Sequence, residues 1–247
     1  MMLEAILRLI GVSIGIAVIA AYIFFKIYSE NIKKQARDKI GNSYKAFASK
    51  NKLKYSEFER ILDDDCSFYS NDLIRMRNLG HTPSVEYNVF ASNGDIEYKW
   101  GIYHYVTTEE KYRRFASSVE IHHYVNYCYF ICSNMKLPYF YIRKRNFLDF
   151  INKLAETNKE IEINCDKNFK KNFAVYGNDE EDIKSIFNEE ICGLLNKLKG
   201  NDYTIEGCND SLVIIGGKGD IDERVYIKDL ALKITKELIE VSPRTGI

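Results

Sequence analysis

An uncharged apolar run near the N-terminus limits what this chain can be more than any other feature of its sequence. It covers residues 9–25 (LIGVSIGIAVIAAYIFF). A helix of this length spans about 25 Å, and apolar neighbours on both sides extend it to the roughly 30 Å of a bilayer core. The run therefore predicts a transmembrane helix that includes Leu9, Gly11, Gly15 and Phe25.

Two other structures fit an apolar N-terminal run, a cleaved signal peptide and a buried core helix. A signal peptide has a basic start and small residues at its cleavage site. Here Glu4 offsets Arg8, and the bulky residues 22–28 (YIFFKIY) stand where cleavage would occur. A core helix usually keeps one polar face, whereas this run is apolar on all sides. We favour the membrane span.

Gly11 and Gly15 form a GxxxG motif inside the predicted span. Small residues four apart let two helices approach closely, which can drive dimerisation. Glycine is also simply common in such helices. A homodimer is therefore one possible assembly.

A basic segment follows the apolar run. Residues 26–54 carry nine Lys and Arg residues against Glu30 and Asp38, although the whole chain has no net charge. Such a segment can lie against anionic lipid or form a solvated linker. We assign five residues to the membrane surface: Lys26, Lys33, Lys34, Arg37 and Lys39. Because the positive flank of a span usually faces the cytoplasm, the body is expected there.

The rest of the chain predicts an α+β fold, with an antiparallel, aromatic-rich sheet packed with helices. Strands are predicted at residues 84–91, 95–107, 118–133, 138–142, 160–164 and 172–176, with a hairpin at 203–215. Helices are predicted at 56–62, 145–154, 179–187, 189–198 and 224–241. The predicted organisation is an anchor (1–28), a basic helix or linker (29–54), a soluble domain (55–241) and a tail (242–247).

The six cysteines contain no CxxC pair for zinc or redox chemistry. Cys128 and Cys132 lie in a strand, where residues four apart are about 13 Å distant. A body of this size can bury an adequate core without crosslinks. The six are expected to be mostly buried thiols, which agrees with the cytoplasm, although an even count would also suit disulfides outside the cell.

No catalytic or metal-binding constellation is visible. His122 and His123 point to opposite faces of a strand, and His81 and His104 are distant in sequence. The acidic run 63–65 lacks the spacing of a calcium loop. The turn 216–219 (GGKG) lacks the ending of a phosphate loop. We expect no enzyme activity, cofactor, metal or nucleic-acid partner.

Three segments carry a resemblance to a known group of proteins. They are residues 79–90 (LGHTPSVEYNVF) with the following hairpin, residues 137–140 (LPYF), and residues 173–177 (FAVYG) with the helix after them. The chain resembles uncharacterised prokaryotic proteins that have a single-pass membrane anchor and one soluble α+β domain. The resemblance implies an anchored location and this fold, and it implies no activity.

Three functions are compatible with these features. The first is a membrane-anchored interaction or scaffold domain, because the chain combines a span, a basic segment and an aromatic sheet. The second is a lipid-binding or small-ligand-binding domain at the membrane surface. The third is a membrane-tethered enzyme, with its four histidines and residues 63–65 as candidates. We favour the first, with the lipid bilayer and an unknown protein as partners.

Overall fold

The computed structural model describes residues 2–60, 81–111, 117–145, 160–198, 203–217 and 221–242. The chain divides into two units, Met1–Ser43 and Tyr44–Ile247. The first unit is part of one uninterrupted helix, α1 (Met2–Lys50). The predicted anchor and the predicted basic segment therefore belong to the same helix.

The second unit is built on an antiparallel sheet, as predicted. Its strands are β1 (Lys54–Arg60), β2 (His81–Asn93), β3 (Ile96–Lys111), β4 (Ser117–Ile131), β5 (Leu137–Lys144), β6 (Phe173–Gly177), β7 (Thr204–Asn209) and β8 (Ser211–Ile215). Among the described residues these eight strands are ordered β1-β2-β3-β4-β8-β7-β5-β6. The fold class is α+β.

The two tight hairpins follow from local turn chemistry. β2 and β3 pair directly up to Asn93 and Ile96, with Gly94 at φ +63° in the turn between them. Glycine adopts this left-handed conformation without steric cost. β7 and β8 turn through Asn209, whose φ is +53°. Asparagine is among the residues that tolerate this region best.

One face of the sheet carries an apolar row across seven strands. Its members are in register and buried: Val89, Trp100, Cys128, Ile214, Ile205, Ile142 and Val175. The neighbouring row, on the opposite face, contains two buried charged residues, Lys99 and Glu206. Tyr139 donates a 3.1 Å hydrogen bond to the Glu206 carboxylate. The carboxylate therefore keeps a hydrogen-bond partner, which burial of a charge requires.

The described helices after the first strands are α2 (Lys167–Asn172), α3 (Glu180–Ile186), α4 (Glu189–Asn196) and α5 (Ile221–Val241). Asp179 caps α3 by accepting a 3.1 Å hydrogen bond from the Asp182 amide. Asn188 caps α4 through the Ile191 amide at 2.8 Å. These caps explain why α3 and α4 begin where the sequence predicted.

Several local predictions were wrong. Residues 56–60, predicted to be part of a helical turn, lie in strand β1, which pairs with β2 over six register positions. Sheet pairing overrides local propensity here. The predicted strand at 160–164 contributes only a bridge between Ile161 and Val175. Helix α2 was not predicted. Residues 146–154 of the helix predicted at 145–154 lie outside the described residues.

Candidate membrane anchor and functional sites

The apolar part of α1 exposes its side chains on every side of the helix. Large apolar residues between positions 14 and 28 are all at least half exposed, from 50% at Ile23 to 72% at Phe25. Their positions cover the full circumference, because successive residues are separated by 100°. In the described part of the chain, this helix is long and apolar enough to cross a membrane. No part of its most apolar window is buried, whereas the core helix of a soluble protein is mostly buried.

The predicted span residues all lie on α1. The side chains of Leu9 and Gly11 are outside the described residues. Gly15 would present no clash to an added Cβ, because nothing beyond the adjacent backbone of its own helix lies within 4 Å of that position. Its helix surface is therefore open to the close approach of another helix. Phe25 is exposed, and the neighbouring rings of Phe24 and Tyr28 stack with centroids 6.3 Å apart.

The helix brings together three of the five predicted membrane-surface residues. Lys26, Lys33 and Arg37 are separated by seven and four residues, so they share one face of α1. Lys34 stands beside this face, and Lys39 lies on the far side of the helix. All five are exposed. We call Lys26, Lys33 and Arg37 the basic face, which also carries Glu30 and so has a net charge of +2.

The last turns of α1 belong to the second unit and pack into its core. The Tyr44 ring lies 5.1 Å from that of Trp100, and the Phe47 ring meets the same indole edge-on at 5.2 Å. Arg224 of α5 donates a 3.1 Å hydrogen bond to the Tyr44 hydroxyl. Burial raises the pKa of Tyr44 to about 12, and the Arg224 charge opposes this shift. The predicted domain start at residue 55 thus excludes side chains that belong to the core.

An open cleft of about 560 Å³ lies at one end of the sheet. Its walls come from the β4–β5 turn, the β7–β8 turn and helix α3. The lining residues are Ser133, Met135, Lys136, Leu137, Pro138, Asp182, Asn209 and Asp210. One ammonium and two carboxylates beside apolar side chains suit a polar or zwitterionic group. The sequence could not indicate this cleft, because its residues come from three separate segments.

A disulfide joins Cys165 to Cys192, with the two Cα atoms 6.4 Å apart. The expectation that all six cysteines are thiols is therefore wrong for this pair. The bond ties the segment before α2 to α4. Cys128, Cys132 and Cys208 are not in a disulfide, and Cys66 lies outside the described residues. No spacing pattern in the sequence indicates the bond, because the partners are 27 positions apart and two helices and a strand lie between them.

The sheet register also joins two histidines that are distant in sequence. His104 Nε2 lies 3.0 Å from His122 Nδ1. His123 points to the other face and makes a 2.8 Å hydrogen bond with Thr107. The side chain of His81 and the whole run 63–65 lie outside the described residues. Among the described residues, no three His, Cys, Asp or Glu side chains form a group that could hold a metal ion.

Comparison with known proteins gives one structural neighbour. No protein-family model matches the chain, and no curated protein matches it. The crystal structure of the mycobacterial trehalose monomycolate transport factor A, TtfA, is similar over 84% of this chain and 98% of that chain, at 10% sequence identity and a TM-score of 0.49. This level of likeness assigns neither a family nor a function.

Proposed function

We propose that this chain is a single-pass membrane protein whose α+β domain is held at the membrane surface as an interaction domain. The proposal rests chiefly on the exposed apolar side chains of α1 between Ile14 and Tyr28. At about 25 cal/mol per Å², leaving so many large apolar groups in water is strongly unfavourable. A bilayer removes them from water, and the helix satisfies its own backbone hydrogen bonds there.

We place the domain on the cytoplasmic side. The basic residues that follow the span, from Lys26 to Lys39, outnumber those before it, and such an excess usually stays in the cytoplasm. The Cys165–Cys192 disulfide argues for the opposite side, because disulfides are rare in reducing compartments. The charge bias acts during insertion and so takes precedence. Because the charge bias and the disulfide point to opposite sides of the membrane, the orientation must be measured.

The interaction domain itself is supported by the cleft. Lys136, Asp182 and Asp210 present both charges beside apolar side chains in an open site. Such a surface suits a polar segment of a partner protein bound close to the membrane. A second candidate is a small polar ligand in the same cleft, since its volume lies within the range of small-molecule sites.

The anchor is tested by alkaline carbonate extraction of membranes that contain the full-length protein. We expect the protein to stay in the membrane pellet. Changing both Ile16 and Ile19 to Lys should release it, because each lysine at the centre of a span costs about 3 kcal/mol. Tyr226→Lys is the control, because this side chain is also exposed but lies on α5 of the domain. Complete extraction of the unmodified protein would exclude a span.

The orientation is tested by adding protease to sealed spheroplasts. A cytoplasmic domain should stay intact until the membrane is opened, whereas an external domain should be digested at once.

The partner is tested by mild-detergent pull-down of the full-length protein, with Asp182→Lys as the matched cleft variant. A stoichiometric protein retained by the unmodified chain and lost by the variant would support the interaction domain. If both chains retained the protein equally, the cleft would play no part in binding it. If neither chain retained a protein, the small ligand would be favoured.

A further inference from the structure

Two imidazoles are held side by side on the face of the sheet that carries Trp100. His104 lies on β3 opposite Tyr124, and His122 lies on β4 opposite Val106, so the two are diagonal neighbours. Their ring planes are 5° apart and their centroids 5.3 Å apart. With 3.0 Å between Nε2 of His104 and Nδ1 of His122, the rings are almost coplanar and share one proton along this line.

The His104 ring is held in place by two other contacts. The Ser84 hydroxyl lies 3.2 Å from Nδ1 of His104, and the Tyr124 ring stacks on the imidazole with centroids 4.6 Å apart. The contact with Ser84, which lies on β2, occupies Nδ1 of His104 and leaves its Nε2 facing His122. A hydrogen bond to the second ring nitrogen is how metal-ligating histidines are usually oriented.

We propose that His104 and His122 bind a divalent transition-metal ion between them, with Zn²⁺ or Cu²⁺ as the class that imidazole suits. A tetrahedral ion with metal–nitrogen distances near 2.05 Å separates two ligand nitrogens by about 3.3 Å. The observed separation is 3.0 Å. The ion lies off the line that joins the two nitrogens, so each ring must turn by about 35° to aim its lone pair at the ion.

The protons balance without any co-reactant. In the neutral pair, each imidazole carries one proton. When the ion binds, the His104 proton lies on Nδ1 and is donated to the Ser84 hydroxyl oxygen, and the His122 proton lies on Nε2. Both facing nitrogens then have a lone pair for the ion.

Water can complete the coordination sphere, because His122 is exposed to solvent. Glu120 precedes His122 by two residues on β4, so it shares the same face of the sheet at about 7 Å along the strand.

The test uses the full-length protein in detergent, without a histidine tag and after treatment with a chelator. Zn²⁺ binding is measured by calorimetry, and bound Cu²⁺ is examined by electron paramagnetic resonance. We expect one ion per chain, with nitrogen splitting from imidazole ligands. His122→Gln and His104→Gln should each weaken binding at least tenfold. The decisive control is His123→Gln, because this neighbouring histidine points to the opposite face.

Three results would overturn the proposal: no binding above the micelle blank, unchanged binding by His122→Gln, or an equal loss in His123→Gln. Because His122 is exposed, its variant keeps the test valid even where His104→Gln fails to fold. Ser84 is a positioning residue in this scheme. Ser84→Ala should lower the affinity about tenfold, and Ser84→Thr, which keeps the hydroxyl, should restore it.

Discussion

Arg224 donates a 3.1 Å hydrogen bond to the hydroxyl of Tyr44, across 180 residues of sequence. The guanidinium also lies over the Tyr44 ring, 5.4 Å from its centroid. Both side chains are buried. This contact joins the C-terminal turns of the long N-terminal helix to the last helix of the α+β domain, so the end of α1 is a structural part of that domain.

Removing the Tyr44 hydroxyl should therefore destabilise the domain. Tyr44→Phe takes one partner from a buried charge, and we expect a loss of about 1–2 kcal/mol in the free energy of unfolding. Trp100 is the only tryptophan and touches the Tyr44 ring, so its fluorescence during urea unfolding reports the change. Tyr226→Phe, at an exposed position on α5, is the control. Equal midpoints for the two variants would contradict the prediction.

The same tyrosine should make stability depend on pH in the alkaline range. Its pKa is raised from 10.0 to about 12, mainly by burial. Because the folded protein holds the hydroxyl proton to a higher pH than the unfolded chain, Tyr44 contributes stability that is complete below pH 10. This stability is lost as the pH rises towards 12. Between pH 10 and 11 this loss is about 1 kcal/mol. Unfolding measured at both pH values should show that Tyr44→Phe lacks this part of the loss. Identical dependence of stability on pH in the unmodified protein and in Tyr44→Phe would contradict the prediction.

Alkylation of the denatured, unreduced protein should leave Cys165 and Cys192 unmodified, because they are joined. Cys128, Cys132 and Cys208 should react under the same conditions, which peptide mass spectrometry can establish. By loop-closure entropy, breaking the bond with a reductant should lower the free energy of unfolding by about 3 kcal/mol. Cys208→Ala should not change this effect of the reductant. Full alkylation of Cys165 without reductant would contradict the bond.

Two glycine substitutions should have opposite effects. A Cβ at Gly177 would collide with the Tyr139 carbonyl oxygen and the Ile183 side chain, so Gly177→Ala should destabilise the domain by about 1–3 kcal/mol. At Gly193, inside α4, nothing beyond the adjacent helix backbone lies within 4 Å of the added Cβ. Gly193→Ala should stabilise by roughly 0.5–1 kcal/mol through helix propensity. Thermal unfolding of both variants checks the signs, and a stable Gly177→Ala protein would refute the close contact.

The basic face should enrich anionic lipid around the purified protein. Replacing Lys26, Lys33 and Arg37 by Gln removes about 1 kcal/mol of attraction per residue near the surface. The ratio of anionic to neutral lipid that copurifies, measured by mass spectrometry, should fall in this variant, and salt should reduce it in the unmodified protein. Gln at Lys197, Lys233 and Lys236 of the domain is the charge-matched control. An unchanged ratio of anionic to neutral lipid would show that the basic face does not bind anionic lipid.

Local patterns in the sequence were sufficient for part of this protein. The apolar run before Lys26 has no charged residues and no polar side. It predicts a helix because a helix satisfies its own backbone hydrogen bonds in an apolar medium. The Asn93-Gly94 turn and the Asp179 and Asn188 caps are equally local, since each depends on a few adjacent backbone groups. The α+β class followed from the order of these elements.

The tertiary structure alone decided which distant residues meet. His104 faces His122 because of the β3–β4 register, and a one-residue slip would have turned one of them to the other face. The Cys165–Cys192 bond and the Arg224–Tyr44 contact depend likewise on how helices pack against the sheet. Register and packing are set by the summed burial of many side chains, so no short segment of sequence contains them.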